Sequence, residues 1–280
     1  MILLTGGSGQ VGVALQHKMQ LRGQQFLAPT RNQLSLDQPA QIASYLQEKQ
    51  LTAIFHLAAE TNVDLCETAQ DVALIRNFEA TKLLAHEAGI RSIPFIFISS
   101  SAVLSGDGEF MHDENSNFSP ANFYGVTKML AEQYISNEVS DFLIIRASWM
   151  LGRGSQVKKF AEVAHKKILL GEPFSAVYDK FGSLTSATSL ADLILDSYDM
   201  KINQTLHYGS FTPCSRYEVA KHIKYRLQSK SEIIPVPSSH FTLPAPRGFS
   251  EGLGVAKLAE IFSMIPKTWE NELDSFLEEL

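Results

Sequence analysis

A strand, a glycine loop and a helix follow one another at the start of the chain, and this order constrains the fold more than any other feature. Ile2–Thr5 is apolar, Gly6, Gly9 and Gly12 follow it, and apolar residues then recur at helical spacing. In a Rossmann fold such glycines let a pyrophosphate approach the backbone, and the N-terminus of the helix offers it free N–H groups. A glycine-rich turn without a ligand would contain the same residues, but the position between strand and helix favours a dinucleotide cofactor. We therefore predict that the following residues contact a cofactor: Gly6, Gly9, Gln10, Val11 and Gly12.

Strand and helix signals alternate through the first half of the chain. Further apolar runs predict the strands Gln25–Ala28, Ala53–Ala58, Phe95–Ile98 and Phe142–Ile145. A helix is predicted from about Glu67 to Ala88, closed by Gly89, and Ser189 is predicted to open a later helix through a capping box. This order predicts an α/β protein with a Rossmann-type doubly wound parallel sheet and a smaller C-terminal substrate-binding lobe. The predicted division is residues 1–150 for the NAD(P)-binding domain and 151–280 for a substrate-binding lobe interleaved with the last Rossmann elements.

Composition and charge argue against several classes of function. A net charge of −6 and a pI near 5.8 are unsuited to a nucleic-acid or anionic membrane surface. Two cysteines without CxxC spacing and eight histidines without ligand spacing predict neither a disulfide framework nor a metal site. No apolar run approaches the roughly 20 residues that span a bilayer, and the first strand leaves no room for a leader. We therefore expect a cytoplasmic protein.

The segment after the second predicted strand bears on the choice of cofactor. A Rossmann protein that prefers NAD usually carries an acid here for the ribose hydroxyls, whereas this chain has Ala28-Pro29-Thr30-Arg31-Asn32. A guanidinium at Arg31 suits a 2′-phosphate, although a solvated surface arginine is the ordinary alternative. We predict NADP(H) as the preferred cofactor, with NAD(H) as the alternative. Asp37 is placed to accept a hydrogen bond from the adenine amino group.

Three residues further along the chain suggest hydride-transfer chemistry. Tyr124 and Lys128 stand four apart on a predicted helix and so share a face, and Ser100 ends the fourth predicted strand. A phenol has a pKa of roughly 10, and we expect the nearby ammonium to lower it so that Tyr124 exchanges a proton near neutral pH. Ser100 would orient the substrate oxygen by a hydrogen bond. A tyrosine packed on a lysine of an exposed helix would show the same spacing, but the serine-ended strand favours the catalytic interpretation, in which Lys128 also holds the nicotinamide ribose.

Additional motifs make the chain resemble the extended short-chain dehydrogenases/reductases and, within them, the dTDP-4-dehydrorhamnose reductase family. His56–Asp64 is similar to the segment AAAxTxVD, Arg146–Gly152 to RTSWVYG, and Arg247 with Leu253 to RPxxSxL. The resemblance covers essentially the whole chain. It implies cofactor contacts from Ala58, Ala59, Glu60 and Thr61. It also implies substrate contacts from Ser100, Ser101, Trp149 and Arg247.

The departures from the family pattern lie close to the expected substrate. The family segment STDYVF is here Ser99–Leu104, so that Ser100 keeps a hydroxyl, Ser101 replaces an aspartate and Ala102 replaces a tyrosine. Gly248 replaces the proline that follows the arginine. Related 4,6-dehydratases carry adjacent acids after the Ser/Thr, and because neither replacement is an acid, dehydration is not expected. Epimerisation stays open, since the segment SSSA also resembles that of the epimerases.

The resemblance implies an NADP(H)-dependent reductase of a nucleotide-linked 4-keto-6-deoxyhexose, with Tyr124 as the proton donor. One alternative is an NAD(P)-dependent nucleotide-sugar epimerase with no net redox change. Another is a cofactor-binding regulatory subunit that resembles the methionine adenosyltransferase β subunit. The resemblance also allows a homodimer, and neither nucleic acid nor a membrane is expected as a partner.

Four lysines lie on one predicted helix of the second half: Lys158, Lys159, Lys166 and Lys167. A solvated helix face is the ordinary interpretation of such a pattern. The alternative is that some of these ammonium groups hold the diphosphate of the substrate.

Overall fold

The fold is described from a computed structural model, which covers residues 1–153 and 159–280. Its centre is a six-stranded parallel sheet. Six of the following strands form this sheet, and the others lie in smaller sheets. The strands of the described residues are β1 (Ile2–Thr5), β2 (Phe26–Leu27), β3 (Ala53–His56), β4 (Phe95–Ser100), β5 (Phe142–Ala147), β6 (Trp149–Leu151), β7 (Phe174–Val177), β8 (Phe181–Gly182), β9 (Leu184–Ser186), β10 (Gln204–Tyr208), β11 (Cys214–Ser215), β12 (Ile233–Val236) and β13 (Ser250–Glu251).

The order of the strands in the main sheet is β10-β5-β4-β3-β1-β2. From β1 the chain moves outward to β2, returns to the other side of β1 at β3, and continues in the opposite direction. The direction of winding therefore reverses between β1 and β3, and in open α/β sheets the crevice at such a point binds the ligand. The glycine loop leaves β1 at this place. The predicted doubly wound Rossmann-type fold is confirmed.

Helices cover both faces of this sheet. They are α1 (Gln10–Leu21), α2 (Ala40–Leu46), α3 (Val63–Thr68), α4 (Gln70–Leu74), α5 (Ala80–Arg91), α6 (Phe123–Glu138), α7 (Phe160–Leu169), α8 (Ala187–Asp199), α9 (Arg216–Arg226), α10 (Ala256–Phe262) and α11 (Trp269–Glu279). Residues of α1, α8 and α10 form one hydrophobic core with the sheet, and those of α2, α5 and α6 form another on the opposite face. Because both faces are covered, β1, β3 and most of β4 are fully buried and apolar. No helix of the described residues has the length and apolar character needed to cross a membrane.

The helix predicted from Glu67 to Ala88 is a series of shorter pieces. Ala69 leaves the helical region, with φ −132° and ψ 67°, so that α3 ends before it and α4 begins after it. A π-helical turn at Ile75–Glu79 then joins α4 to α5. The predicted stop at Gly89 is wrong, because α5 continues to Arg91 and ends where Ser92 takes a left-handed conformation with φ 52°. The spacing of apolar residues in a sequence indicates neither a break in a helix nor a π-helical turn.

The predicted cap at Ser189 is also wrong. Ser186 caps α8 by accepting a hydrogen bond from the backbone N–H of Ser189, which therefore lies in the first helical turn. The capping box of the second half is instead at Ser215 and Glu218, where it opens α9. Ser189 and Ser215 are each followed three residues later by an acid, which is the sequence signature of a capping box. Only the backbone before each serine shows which of the two begins a helix.

The second half contributes to two layers. Strand β10 is the edge of the main sheet and α8 packs on α1, whereas α7, α9 and α11 surround a separate hydrophobic core with β6 and β9. Three small sheets support this part: β11-β8-β13, β12-β7 and β6-β9. The predicted division of the chain, with its boundary at residue 150 and its interleaved substrate-binding lobe, stays a prediction.

Candidate active site

The glycine loop turns sharply between β1 and α1, and at Gly6 and Gly12 the surrounding backbone leaves no room for a Cβ atom. Gly6 has a φ of 75°, and a Cβ there would lie 2.7 Å from the backbone nitrogen of Ala58. A Cβ on Gly12 would lie 2.2 Å from the carbonyl oxygen of Gly6. The loop is thus pressed against both the first turn of α1 and the segment after β3. The side chain of Gln10, predicted to contact cofactor, donates a hydrogen bond to the carbonyl of Gly152.

The segment after β3, residues 58–61, is held by a residue that the sequence patterns did not single out. Asn77 is buried, its Oδ1 accepts from the N–H of Glu60 at 2.7 Å, and its Nδ2 donates to the carbonyl of Glu60 at 3.1 Å. The same Nδ2 donates to Thr127 Oγ1 at 3.2 Å, on the helix that carries Tyr124. Asn77 therefore ties the predicted cofactor segment to the predicted catalytic helix. It lies in the π-helical turn, a feature often found at functional sites.

Charged residues gather at the other end of the predicted cofactor site. Arg76 pairs with Asp37 at 2.5 Å and with Glu60 at 2.8 Å, and it too lies in the π-helical turn. The hydrogen bond from Arg76 lowers the pKa of Asp37, and exposed Arg31 acts in the same direction. The structure thus brings Asp37 and Glu60 together around Arg76, which the sequence patterns did not indicate, and the cofactor contacts of both acids stay predictions. The position of Arg76 in the middle of a helix gave no signal.

The predicted catalytic side chains meet at the carboxyl end of β4. Ser100 ends that strand, and its Oγ accepts from the N–H of Ala102 at 3.2 Å. Helix α6 begins directly after Asn122, whose side chain caps it, and places Tyr124 in its first turn. A Cβ on Gly125 would lie 2.3 Å from the carbonyl oxygen of Ala102, so this glycine allows α6 to approach the end of β4.

Burial dominates the electrostatics of Tyr124. The loss of hydration raises the pKa of its phenol, and a hydrogen bond with the Ser100 side chain acts in the opposite direction. The phenol is therefore protonated at neutral pH, which is the form that a proton donor needs. The predicted lowering of this pKa by Lys128 is wrong for the arrangement in the structure, because burial raises the pKa instead.

Lys128 is buried beneath the same site. Its Nζ donates to the carbonyl oxygen of Ile98 at 2.7 Å and lies 4.0 Å from the centroid of the Phe97 ring. Burial lowers the pKa of Lys128 to about 7, against the attraction of Glu132. Its ammonium is thus poised between its two protonation states near neutral pH, and a small change of surroundings shifts that balance.

The predicted substrate residues Trp149 and Ser101 each contact a residue from the second half of the chain. Trp149 packs so closely on Gly182 that a Cβ there would lie 2.5 Å from the indole ring, and the guanidinium of Arg216 lies 4.9 Å from the same ring. Ser101 is fully buried and donates to Glu251 Oε2 at 3.1 Å. Arg216 and Glu251 were missed. Glu251 had a signal, since the family pattern RPxxSxL sets a serine at its position.

Arg247 is already engaged by the first half of the chain. Its Nη2 donates to Asp64 Oδ1 at 3.0 Å and its Nη1 to the carbonyl of Ala245 at 2.7 Å. Arg247 therefore holds the segment before β13 against the predicted cofactor domain, and its predicted substrate contact stays a prediction.

Of the predicted lysine group, Lys158 lies outside the described residues, whereas Lys166 and Lys167 are in the last turn of α7. Among residues 1–153 and 159–280, no cluster of side chains is suited to hold a metal ion.

Known proteins resemble this chain along its whole length. The dTDP-4-dehydrorhamnose reductase of Salmonella typhimurium is 26% identical over 100% of this chain and 97% of its own length. A crystal structure of the Yersinia enterocolitica dTDP-4-dehydrorhamnose reductase is 35% identical, covers 99% of this chain and 98% of its own, and superposes with a TM-score of 0.94. The Bacillus anthracis reductase, in complex with NADP, is 26% identical over 100% of this chain and 99% of its own, with a TM-score of 0.90.

Fold and relatives together define the class of the protein as an extended short-chain dehydrogenase/reductase, an NAD(P)-dependent oxidoreductase, and this confirms the predicted class. The sequence profile of the RmlD substrate binding domain matches residues 1–280, and the chain belongs to this family. The NADP in the Bacillus anthracis complex agrees with the predicted preference for NADP(H).

Proposed function

We propose that this protein is an NADP(H)-dependent reductase of a nucleotide-linked 4-keto-6-deoxyhexose such as dTDP-4-dehydrorhamnose. The observation that carries the proposal is the meeting of Ser100 and Tyr124 at the end of β4, beside the crevice at which the glycine loop leaves the sheet. The reductases of Salmonella typhimurium and Yersinia enterocolitica support the substrate class.

Each side chain has a defined task in this reaction. NADPH supplies the hydride that reaches the carbonyl carbon of the sugar. The phenol of Tyr124, kept protonated by burial, gives its proton to the carbonyl oxygen as negative charge develops there. The hydroxyl of Ser100 donates a hydrogen bond to the same oxygen and fixes its position. Lys128, whose Nζ lies under the site, provides positive charge that favours the phenolate left behind.

The geometry of the loop and of the segment after β3 supports the proposed cofactor contacts. Gly6, Gly9 and Gly12 let the pyrophosphate approach the backbone at the N-terminus of α1. Residues 58–61, fixed by Asn77, line the cofactor, and Arg31 meets the 2′-phosphate of NADP. On the other side of the cleft Trp149 covers the sugar nucleotide.

The test is the oxidation of NADPH, followed at the nicotinamide absorbance, with dTDP-4-dehydrorhamnose as substrate. Tyr124→Phe removes the proton donor and is expected to lower kcat by about 10²- to 10⁴-fold with little change in NADPH affinity. Tyr134→Phe is the matched control, because Tyr134 lies on the same helix and packs on the apolar core. Full activity of Tyr124→Phe would contradict the assigned proton donor. Wild-type protein that binds NADPH and oxidises none of it with a panel of keto-sugar nucleotides would contradict the proposed reaction.

A further inference from the structure

Glu251 brings a carboxylate to the substrate side of the cleft. It is half-buried at the end of β13, and that strand pairs with β8 so that Glu251 lies beside Gly182, on which Trp149 packs. Its backbone carbonyl accepts from Ser148 Oγ at 2.8 Å, and its side chain accepts from Ser101 Oγ at 3.1 Å. The carboxylate is therefore fixed in position from both its backbone and its side chain.

The acceptor capacity of this carboxylate is only partly used. Of the salt bridges within 4.0 Å found in the described residues, none involves Glu251. Two carboxylate oxygens offer about four acceptor sites, and the hydrogen bond from Ser101 occupies one of them. A half-buried carboxylate without an ion pair is costly unless further donors reach it. Hydroxyl groups of a bound sugar are such donors.

Glu251 lies near the reacting groups because it bonds to Ser101, which directly follows Ser100. Burial raises the pKa of Glu251, and the hydrogen bond from Ser101 and the charges of Arg216 and Arg247 act in the opposite direction. The negative charge of Glu251 in turn helps to raise the pKa of Tyr124. The carboxylate is therefore in a position to meet hydroxyls next to a sugar carbonyl held at Ser100.

The sequence pattern gives a second, independent observation. The family patterns STDYVF and RPxxSxL set an aspartate at position 101 and a serine at position 251, whereas this chain has Ser101 and Glu251. The structure joins these two side chains by a hydrogen bond. Relative to the family pattern, the acid and the hydroxyl have thus exchanged positions. A carboxylate is still present at this contact, but β13 provides it instead of the segment after β4.

We propose that Glu251 is the residue of this active site that recognises the sugar, and that it accepts hydrogen bonds from hexose hydroxyls next to the reacting carbonyl. The proposal rests on the proposed function for the identity of the substrate class. It assigns to the pair Ser101 and Glu251 the choice among hexoses, while Ser100 and Tyr124 act on the carbonyl that all of them share.

The test measures the contribution of the sugar to binding. Calorimetric titration of the NADP-loaded protein with dTDP and with dTDP-rhamnose gives two Kd values, and their ratio is the hexose gain. Because a hydrogen bond to a charged group is worth about 1.5–3 kcal/mol, Glu251→Gln is expected to reduce the hexose gain by about tenfold or more. The Kd for dTDP is expected to stay within about twofold, and the double variant Ser101→Asp/Glu251→Ser is expected to restore most of the gain.

A matched control separates recognition from loss of structure. Glu272 is a buried glutamate of α11, and Glu272→Gln is expected to keep the hexose gain whatever it does to stability. Equal weakening of dTDP and dTDP-rhamnose binding by Glu251→Gln would overturn the proposal, as would a gain preserved within twofold or a wild type without any gain. Wild-type protein that shows the gain yet reduces no keto-sugar would contradict the proposed function and leave the role of Glu251 intact.

Discussion

Replacement of Asn77 tests whether one buried side chain organises the site. Asn77→Ala removes the hydrogen bonds to the N–H and the carbonyl of Glu60 and to Thr127, and it leaves a partly buried N–H without its partner at 2.7 Å. Each net hydrogen bond is worth about 0.5–1.5 kcal/mol, and an unsatisfied buried donor costs about 1–3 kcal/mol. We expect the free energy of unfolding to fall by about 2–4 kcal/mol.

The same substitution should weaken cofactor binding. Residues 58–61 line the proposed cofactor site and depend on Asn77 for their position. We take half of the lost free energy of unfolding as the part that holds residues 58–61 in the conformation that binds cofactor. The Kd for NADPH is then expected to rise by about tenfold. Urea unfolding measures the first effect, and fluorescence titration with NADPH measures the second.

Asn203 provides the control for Asn77. Its side chain also bridges two backbone groups, accepting from Phe142 N–H at 3.2 Å and donating to the Ser140 carbonyl at 2.8 Å, but it is exposed and far along the chain from the cofactor segment. Asn203→Ala is expected to cost stability without changing the Kd for NADPH. The reasoning is refuted if Asn77→Ala unfolds within about 0.5 kcal/mol of wild type, or if it loses stability and binds NADPH with unchanged Kd.

Two further predictions concern charge. Arg31→Ala is expected to lower kcat/KM for NADPH by about tenfold or more and to leave kcat/KM for NADH within twofold, because only NADPH carries the 2′-phosphate; equal losses with both would exclude Arg31 as the contact. Lys128 has a pKa of about 7 in the folded protein against 10.5 ordinarily, so between these values the unfolded chain binds more protons and stability rises with pH. Wild type should therefore gain up to about 1.4 kcal/mol per pH unit relative to Lys128→Met between pH 7 and 9 in urea unfolding, and parallel pH profiles of the two proteins would contradict the lowered pKa.

The sequence predicted the fold wherever the determinants are local. Apolar runs located β1 to β5 to within a few residues, since a buried parallel strand is largely apolar. Local patterns failed where the backbone changes type inside one apolar period, as at Ala69 and in the turn Ile75–Glu79. The strands β6 and β13 escaped prediction because they are short and owe their conformation to β9 and β8, which lie far away in the chain.

The same distinction separates the predicted from the missed site residues. Ser100, Tyr124 and Lys128 could be predicted as catalytic residues from local spacing. Ser100 ends a strand, and Tyr124 and Lys128 stand four residues apart. Arg76 acts on Asp37, which lies 39 positions earlier in the chain, and a single sequence reports no such distance. Burial likewise decides the pKa of Tyr124, and it depends on packing that a motif does not encode.

Two departures from the family pattern lie in residues 245–251, and both contact the segment after β4. Gly248, which replaces a proline, lies so close to Ser105 that a Cβ would be 2.0 Å from its carbonyl oxygen. Glu251 accepts a hydrogen bond from Ser101, which replaces an aspartate. This second contact joins one departure to another, and close-packed neighbours respond to substitution together. An aspartate at position 101 beside Glu251 would set two carboxylates against each other and raise the pKa of one of them. If the two positions constitute one recognition element, as we propose, a single reversal disrupts what the paired reversal preserves.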